Sequence, residues 1–163
     1  MEKILYLHGL DSFLQDDRRQ ILQTFAYVEA PTLDYLHTPN LFDSLQKTYS
    51  NIKAIIGSSA GGLVAYYLAQ KLNKPCLLFN PAMSYRATIP FSTSFDTNYL
   101  EYMQIVLGIQ DEVISSIESL KIIQADISKK QNVTFHIINL MAHSYPIEIF
   151  EQECRFFFEQ INI

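Results

Sequence analysis

Short apolar runs alternate with longer stretches of mixed polarity along almost the whole chain. The runs Lys3–Leu7, Ala26–Ala30, Lys53–Gly57, Cys76–Asn80, Met103–Ile109 and Val133–Asn139 are bounded by Gly, Pro, Asn or Asp, as buried parallel strands are. Between them, Asp16–Thr24, Leu41–Tyr49, Gly61–Leu72 and Val113–Lys130 read as helices, and a last one runs from Ile147 to Gln160. Leu63–Leu72 reads as amphipathic. Strand–helix alternation predicts a parallel sheet covered on both faces, with functional groups gathered in loops at the carboxyl ends of the strands. No repeat, low-complexity tract or linker divides residues 1–163, so one domain is expected. The segment from Pro81 to Glu101 breaks the rhythm. Its Met83, Tyr85, Ile89, Phe91, Phe95 and Tyr99 follow no helical period, and suit either a pocket wall or lid, or a cover for the sheet edge.

The junction of the third strand and the third helix carries the chemistry. Gly57-Ser58-Ser59-Ala60-Gly61 is a G-x-S-x-G pentapeptide. At such a strand-to-helix elbow the serine is forced outward, and glycines two before and two after let strand and helix approach. Ser58 is excluded as the central serine because Ile56 lies two before it. A serine hydroxyl needs a base, and in elbow hydrolases the order is Ser, then acid, then His. Only His136 and His143 follow Ser59. His136 lies inside a strand and reads as a core histidine, whereas His143 follows that strand in a loop and is the candidate base. Asp111 is the first carboxylate after the Met103–Ile109 strand and is the candidate acid. Glu112 is the nearest alternative. Asp96 precedes the strand, and Glu118 and Asp126 read as solvated helix face. The oxyanion donors are expected to be the backbone N–H groups of Ala60 and Leu10, with His8 a structural loop residue.

Composition removes other classes. Twelve basic and 17 acidic side chains give a net charge of −5, which argues against a nucleic-acid partner. No apolar run is long enough to span a membrane, and Ile4–Leu7 is too short for a signal-peptide core. Cys76 and Cys154 have no metal-ligand spacing and read as packing residues suited to a reducing cytoplasm. Neither a metal nor a cofactor is needed. Gly57, Gly61 and Gly62 fit neither the dinucleotide fingerprint nor a Walker loop.

Five ordered blocks carry a resemblance: Leu5-Tyr6-Leu7-His8-Gly9-Leu10, Gly57-Ser58-Ser59-Ala60-Gly61-Gly62, Phe79-Asn80-Pro81-Ala82, Gly108-Ile109-Gln110-Asp111-Glu112-Val113 and His143-Ser144-Tyr145. Together they resemble the small YqiA-like esterases, the UPF0227 group of the α/β-hydrolase superfamily, over nearly the whole chain. The resemblance implies an α/β fold, a three-layer α/β/α sandwich on a mostly parallel six-stranded sheet in the order 2-1-3-4-5-6, without a large cap. It also implies a Ser59–Asp111–His143 triad acting on a small-molecule acyl ester or thioester. Departures fall mainly between Pro81 and Glu101, and Tyr145 stands where an aromatic is expected after the histidine. The rival reading is a non-catalytic domain of the same fold that binds a ligand or partner in the cleft.

Overall fold

The computed structural model describes every residue except 90, 92 and 93. The described residues form one six-stranded sheet in the order β2-β1-β3-β4-β5-β6, with every neighbouring pair parallel. The strands are β1 (Lys3–Leu7), β2 (Tyr27–Glu29), β3 (Ala54–Ser58), β4 (Cys76–Phe79), β5 (Met103–Gly108) and β6 (Val133–Ile138). In β3 and β4 the apolar runs are buried on both faces, which is why they do not alternate. The helices are α1 (Asp16–Gln23), α2 (Leu41–Thr48), α3 (Ala60–Leu72), α4 (Ser116–Asp126) and α5 (Ile147–Gln160). One apolar cluster joins α1 and α5 to one sheet face, and a second joins α2, α3 and α4 to the other. The result is the three-layer sandwich expected, with no large cap.

Three expectations need correction. Helix α3 is not amphipathic: every residue from Gly61 to Gln70 is buried. It runs beneath α2 and the chain between Met83 and Tyr99, so both of its sides face protein. Helix α4 is shorter than Val113–Lys130. At its start, the N–H groups of Val113 and Ile114 donate to Asp111 Oδ1 instead of entering a helix, and Ser115 caps the first turn by accepting from Glu118 N–H. At its end, Ile127 is extended, and Ser128 and Gln131 bond to each other. Asp126 is half-buried rather than solvated, because it accepts a 3.0 Å hydrogen bond from the Tyr66 hydroxyl.

The segment from Pro81 to Glu101 both lines the pocket and covers the core. Met83–Thr88 forms a short 3-10 turn, Met83 and Tyr99 are buried, and Phe91 stacks on Phe42 at 4.2 Å. The part of that expectation falling on residues 90, 92 and 93 lies outside the described residues.

Burial also couples the fold to alkaline pH. It raises the Cys76 thiol from its ordinary 9.0 to about 12 and the Tyr6 hydroxyl from 10.0 to about 12. Both groups lose a proton more readily when unfolded. Their stabilising effect is therefore complete below pH 9 and is lost as pH rises towards about 12. Urea denaturation should give a constant unfolding free energy from pH 7 to 8.5 and one that falls from pH 9.5 to 11.5 by on the order of a few kcal/mol, with the midpoint following it. A midpoint unchanged at pH 11.5 would contradict this account.

Candidate active site

Ser59 occupies the one-residue gap between β3 and α3 with φ 54° and ψ −116°, a conformation that L residues rarely adopt. Its backbone is held from three sides. Its N–H donates to Phe79 O, and its carbonyl accepts from Leu63 and Ala82 N–H, each at 3.0 Å. The flanking glycines leave no room for a side chain. A Cβ on Gly57 would fall 2.4 Å from Gly61 O, and one on Gly61 would fall 2.1 Å from Leu7 O. The pentapeptide is thus a steric requirement: β1, β3 and α3 meet here at backbone contact, and the serine is squeezed outward.

Asp111 and His143 come from the ends of adjacent strands. The Asp111 side chain is fully buried, and His143 Nδ1 donates to its Oδ2 at 2.7 Å. The other carboxylate oxygen accepts the N–H groups of Val113 and Ile114, both at 2.8 Å. A carboxylate has only acceptors, so the shared proton belongs to Nδ1, and in a neutral imidazole of that tautomer Nε2 is the acceptor. Ser59 and His143 line one cavity of about 680 Å³. Among the described residues the Ser59 hydroxyl forms no hydrogen bond, and it borders the same space as His143.

Leu10 and Ala60 line the same cavity. Among the described residues neither backbone N–H donates to another group. Ala60 is the first residue of α3, where an N–H has no partner within the helix and the dipole favours negative charge. Around the mouth, Leu10, Phe13, Leu36, Tyr85 and Val113 expose large apolar side chains. Tyr145 closes one side. Its ring stacks on Phe79 at 4.8 Å, and its hydroxyl shares a 3.2 Å hydrogen bond with Ser58 Oγ.

The remaining candidates have other partners. His136 Nδ1 bonds to Glu153 Oε2 at 2.6 Å, and Gln104 Nε2 donates to the same oxygen at 2.7 Å, forming a polar cluster between β6 and α5. His8 is buried. Leu33 N–H donates to its Nε2 at 2.8 Å, so its proton is on Nδ1, which bonds to Gly9 O. Glu112 and Glu118 are exposed, and Asp96 accepts from Asn98 N–H in a local turn. Cys76 and Cys154 are buried, and burial pushes both thiols up. Among the described residues no three His, Cys, Asp or Glu side chains gather as a metal-binding set.

One positioning residue escaped the reading of the sequence. Asn80 follows β4 in a left-handed conformation (φ 42°) and is buried. Its Oδ1 accepts from Gly108 N–H at 2.8 Å, and its Nδ2 donates to the carbonyls of Ala142 and His143 at 3.0 and 3.3 Å. A single side chain therefore ties the strand end that leads to Asp111 to the loop that carries His143. Gly108 completes the join, because a Cβ there would fall 2.3 Å from Met141 O. The available signal was an Asn, a residue type that tolerates positive φ, directly after a buried strand. Asn80→Ala orphans the buried Gly108 N–H and frees two partly buried carbonyls, and should lower stability by about 1–3 kcal/mol in urea denaturation. A loss below about 1 kcal/mol would show these bonds to be incidental.

Residues 3–140 match the family described as Uncharacterised protein family (UPF0227). No curated protein matches the sequence. Among solved structures, the chain is similar to MGS-M1, an α/β hydrolase enzyme from a Medee basin deep-sea metagenome library. The two share 18% identity and a TM-score of 0.70, over 99% of this chain and 85% of that one. A Bacillus cereus carboxylesterase gives 20% identity and a TM-score of 0.71, over 98% and 88%. Acyl-protein thioesterase 2 from Zea mays gives 16% identity and a TM-score of 0.65, over 98% and 94%. At these identities the likeness is one of fold, and the fold is that of the α/β hydrolases.

Proposed function

Because the chain belongs to the uncharacterised protein family UPF0227 and has the α/β-hydrolase fold, we propose that it is a serine hydrolase that cleaves acyl esters or thioesters. The observation that carries this reading is the shared cavity. A strained, outward serine, an imidazole oriented by a buried carboxylate, and two unpartnered backbone N–H groups all border one space. This is the constellation that acyl transfer needs.

In the proposed reaction, the Ser59–Nε2 hydrogen bond closes as substrate enters. Nε2 takes the hydroxyl proton while Oγ bonds to the acyl carbon, and the carbonyl electrons move onto oxygen. The N–H groups of Leu10 and Ala60 stabilise that oxyanion. Its collapse breaks the bond to the alcohol or thiol, which leaves with the proton from Nε2. Water then attacks the acyl-enzyme by the same route, releasing the acid and regenerating Ser59. Asp111 stays ionised throughout, holding the ring and balancing the imidazolium.

Fluorophosphonate labelling followed by peptide mass spectrometry tests the reading. An adduct on Ser59 that is absent in His143→Ala supports an activated serine, and turnover of an ester and thioester panel would complete the case. A folded protein that forms no adduct and turns over no ester would instead favour ligand binding without chemistry.

A further inference from the structure

The cavity has a cation that the proposed chemistry does not use. Arg18 stands in the first turn of α1 and lines the same space as Ser59 and His143. That position is electrostatically poor, because the amino end of a helix disfavours positive charge. Asp16 and Asp17 share that turn, but among the described residues neither forms an ion pair with the guanidinium. Asp17 Oδ1 accepts only the backbone N–H of Arg18, at 2.6 Å. Among the described residues no carboxylate lies within ion-pair distance of the guanidinium.

The group is nevertheless fixed in place. Its Nη1 donates to Gln15 Oε1 at 2.7 Å, and its Nη2 donates to Tyr145 O at 2.6 Å. Its Cζ lies 5.1 Å from the Tyr145 ring centroid and 5.4 Å from that of Phe150. A guanidinium has five N–H donors, so these two bonds leave most of its fork uncommitted. If Arg18 served only to tie α1 to the carbonyl of Tyr145, a neutral donor would do. What a neutral donor lacks is a charge held on the wall of the catalytic cavity. A planar, pre-oriented and unpaired guanidinium suits a carboxylate in particular, because it can meet both oxygens at once.

We propose that Arg18 recognises a carboxylate on the substrate, so that the favoured esters or thioesters bear an anionic group besides the scissile acyl bond. This deepens the hydrolase reading and rests on it. The matched probes are p-nitrophenyl butyrate and mono-p-nitrophenyl glutarate, which differ chiefly in a terminal carboxylate. The protein should favour the glutarate in kcat/KM by about tenfold to a hundredfold, as for a charged hydrogen-bonded contact. Arg18→Gln, which keeps an N–H donor for Tyr145 O, should bring that ratio close to one, and Arg18→Lys should restore part of it. A ratio unchanged in Arg18→Gln, or a wild-type preference for the butyrate, overturns the proposal.

Glutarate itself provides a readout that needs no catalysis. Calorimetry should show it binding the wild-type protein and binding Arg18→Gln at least tenfold more weakly. If no ester is cleaved but glutarate binds through Arg18, the anion site stands and the hydrolase reading falls. If neutral esters are cleaved and glutarate does not bind, the reverse holds.

Discussion

Ser59→Ala is expected to lower kcat on any ester that the protein cleaves by about 10⁵–10⁶-fold, with little change in melting temperature. The structure gives a reason for each half. The Ser59 hydroxyl has no hydrogen-bond partner among the described residues, so its removal orphans nothing. The positive φ of 54° belongs to a backbone held by its bonds to Phe79, Leu63 and Ala82, and alanine meets the same backbone strain as serine. The folded state therefore loses little, whereas the proposed reaction loses the atom assigned to bond to the acyl carbon. His143→Ala should cost a similar factor, and the double variant hardly more, because residues that act as a unit are not additive. Activity of Ser59→Ala within tenfold of wild type would remove Ser59 as nucleophile.

Crowding also explains how much of the molecule could be read from its sequence. Buried parallel strands and their turn residues are local signals, and β1 and α5 end where the polarity pattern says they should. The tight turn between β3 and α3 was legible because its glycines fall within five consecutive residues. What stayed hidden depends on neighbours distant in sequence. The polar positions of α3 look solvent-facing until the chain between Met83 and Tyr99 covers them, and Gln70 then donates to Tyr66 O and accepts from Asp96 N–H. Helix α4 loses its first turn because the Asp111 carboxylate takes two N–H groups that the local pattern assigns to the helix. Asn80 and Arg18 reach 63 and 127 residues along the chain for their partners. No short-range pattern records such pairings.

Asp111→Asn should lower kcat by about 10⁴-fold while the protein stays folded, and the atoms around residue 111 show why. The two oxygens of Asp111 have separate tasks. Oδ1 receives the N–H groups of Val113 and Ile114, and Oδ2 receives His143 Nδ1. Asparagine can keep the first arrangement, since its amide oxygen still accepts both backbone donors. Its NH₂ group then faces Nδ1. Two donors cannot share that bond, so the imidazole must move its proton to Nε2 and present Nδ1 as an acceptor. The ring keeps its place, but its cavity-side nitrogen now carries a proton and cannot take one from Ser59. Asp111→Ala has a different signature: it orphans the turn at Val113 and Ile114 as well, and should reduce stability along with kcat. Steady-state kinetics and melting curves on both variants distinguish the roles. If Asp111→Asn loses less than tenfold in kcat, the His143 tautomer is being set elsewhere, and Asp111 is a brace for the turn rather than the acid of the site.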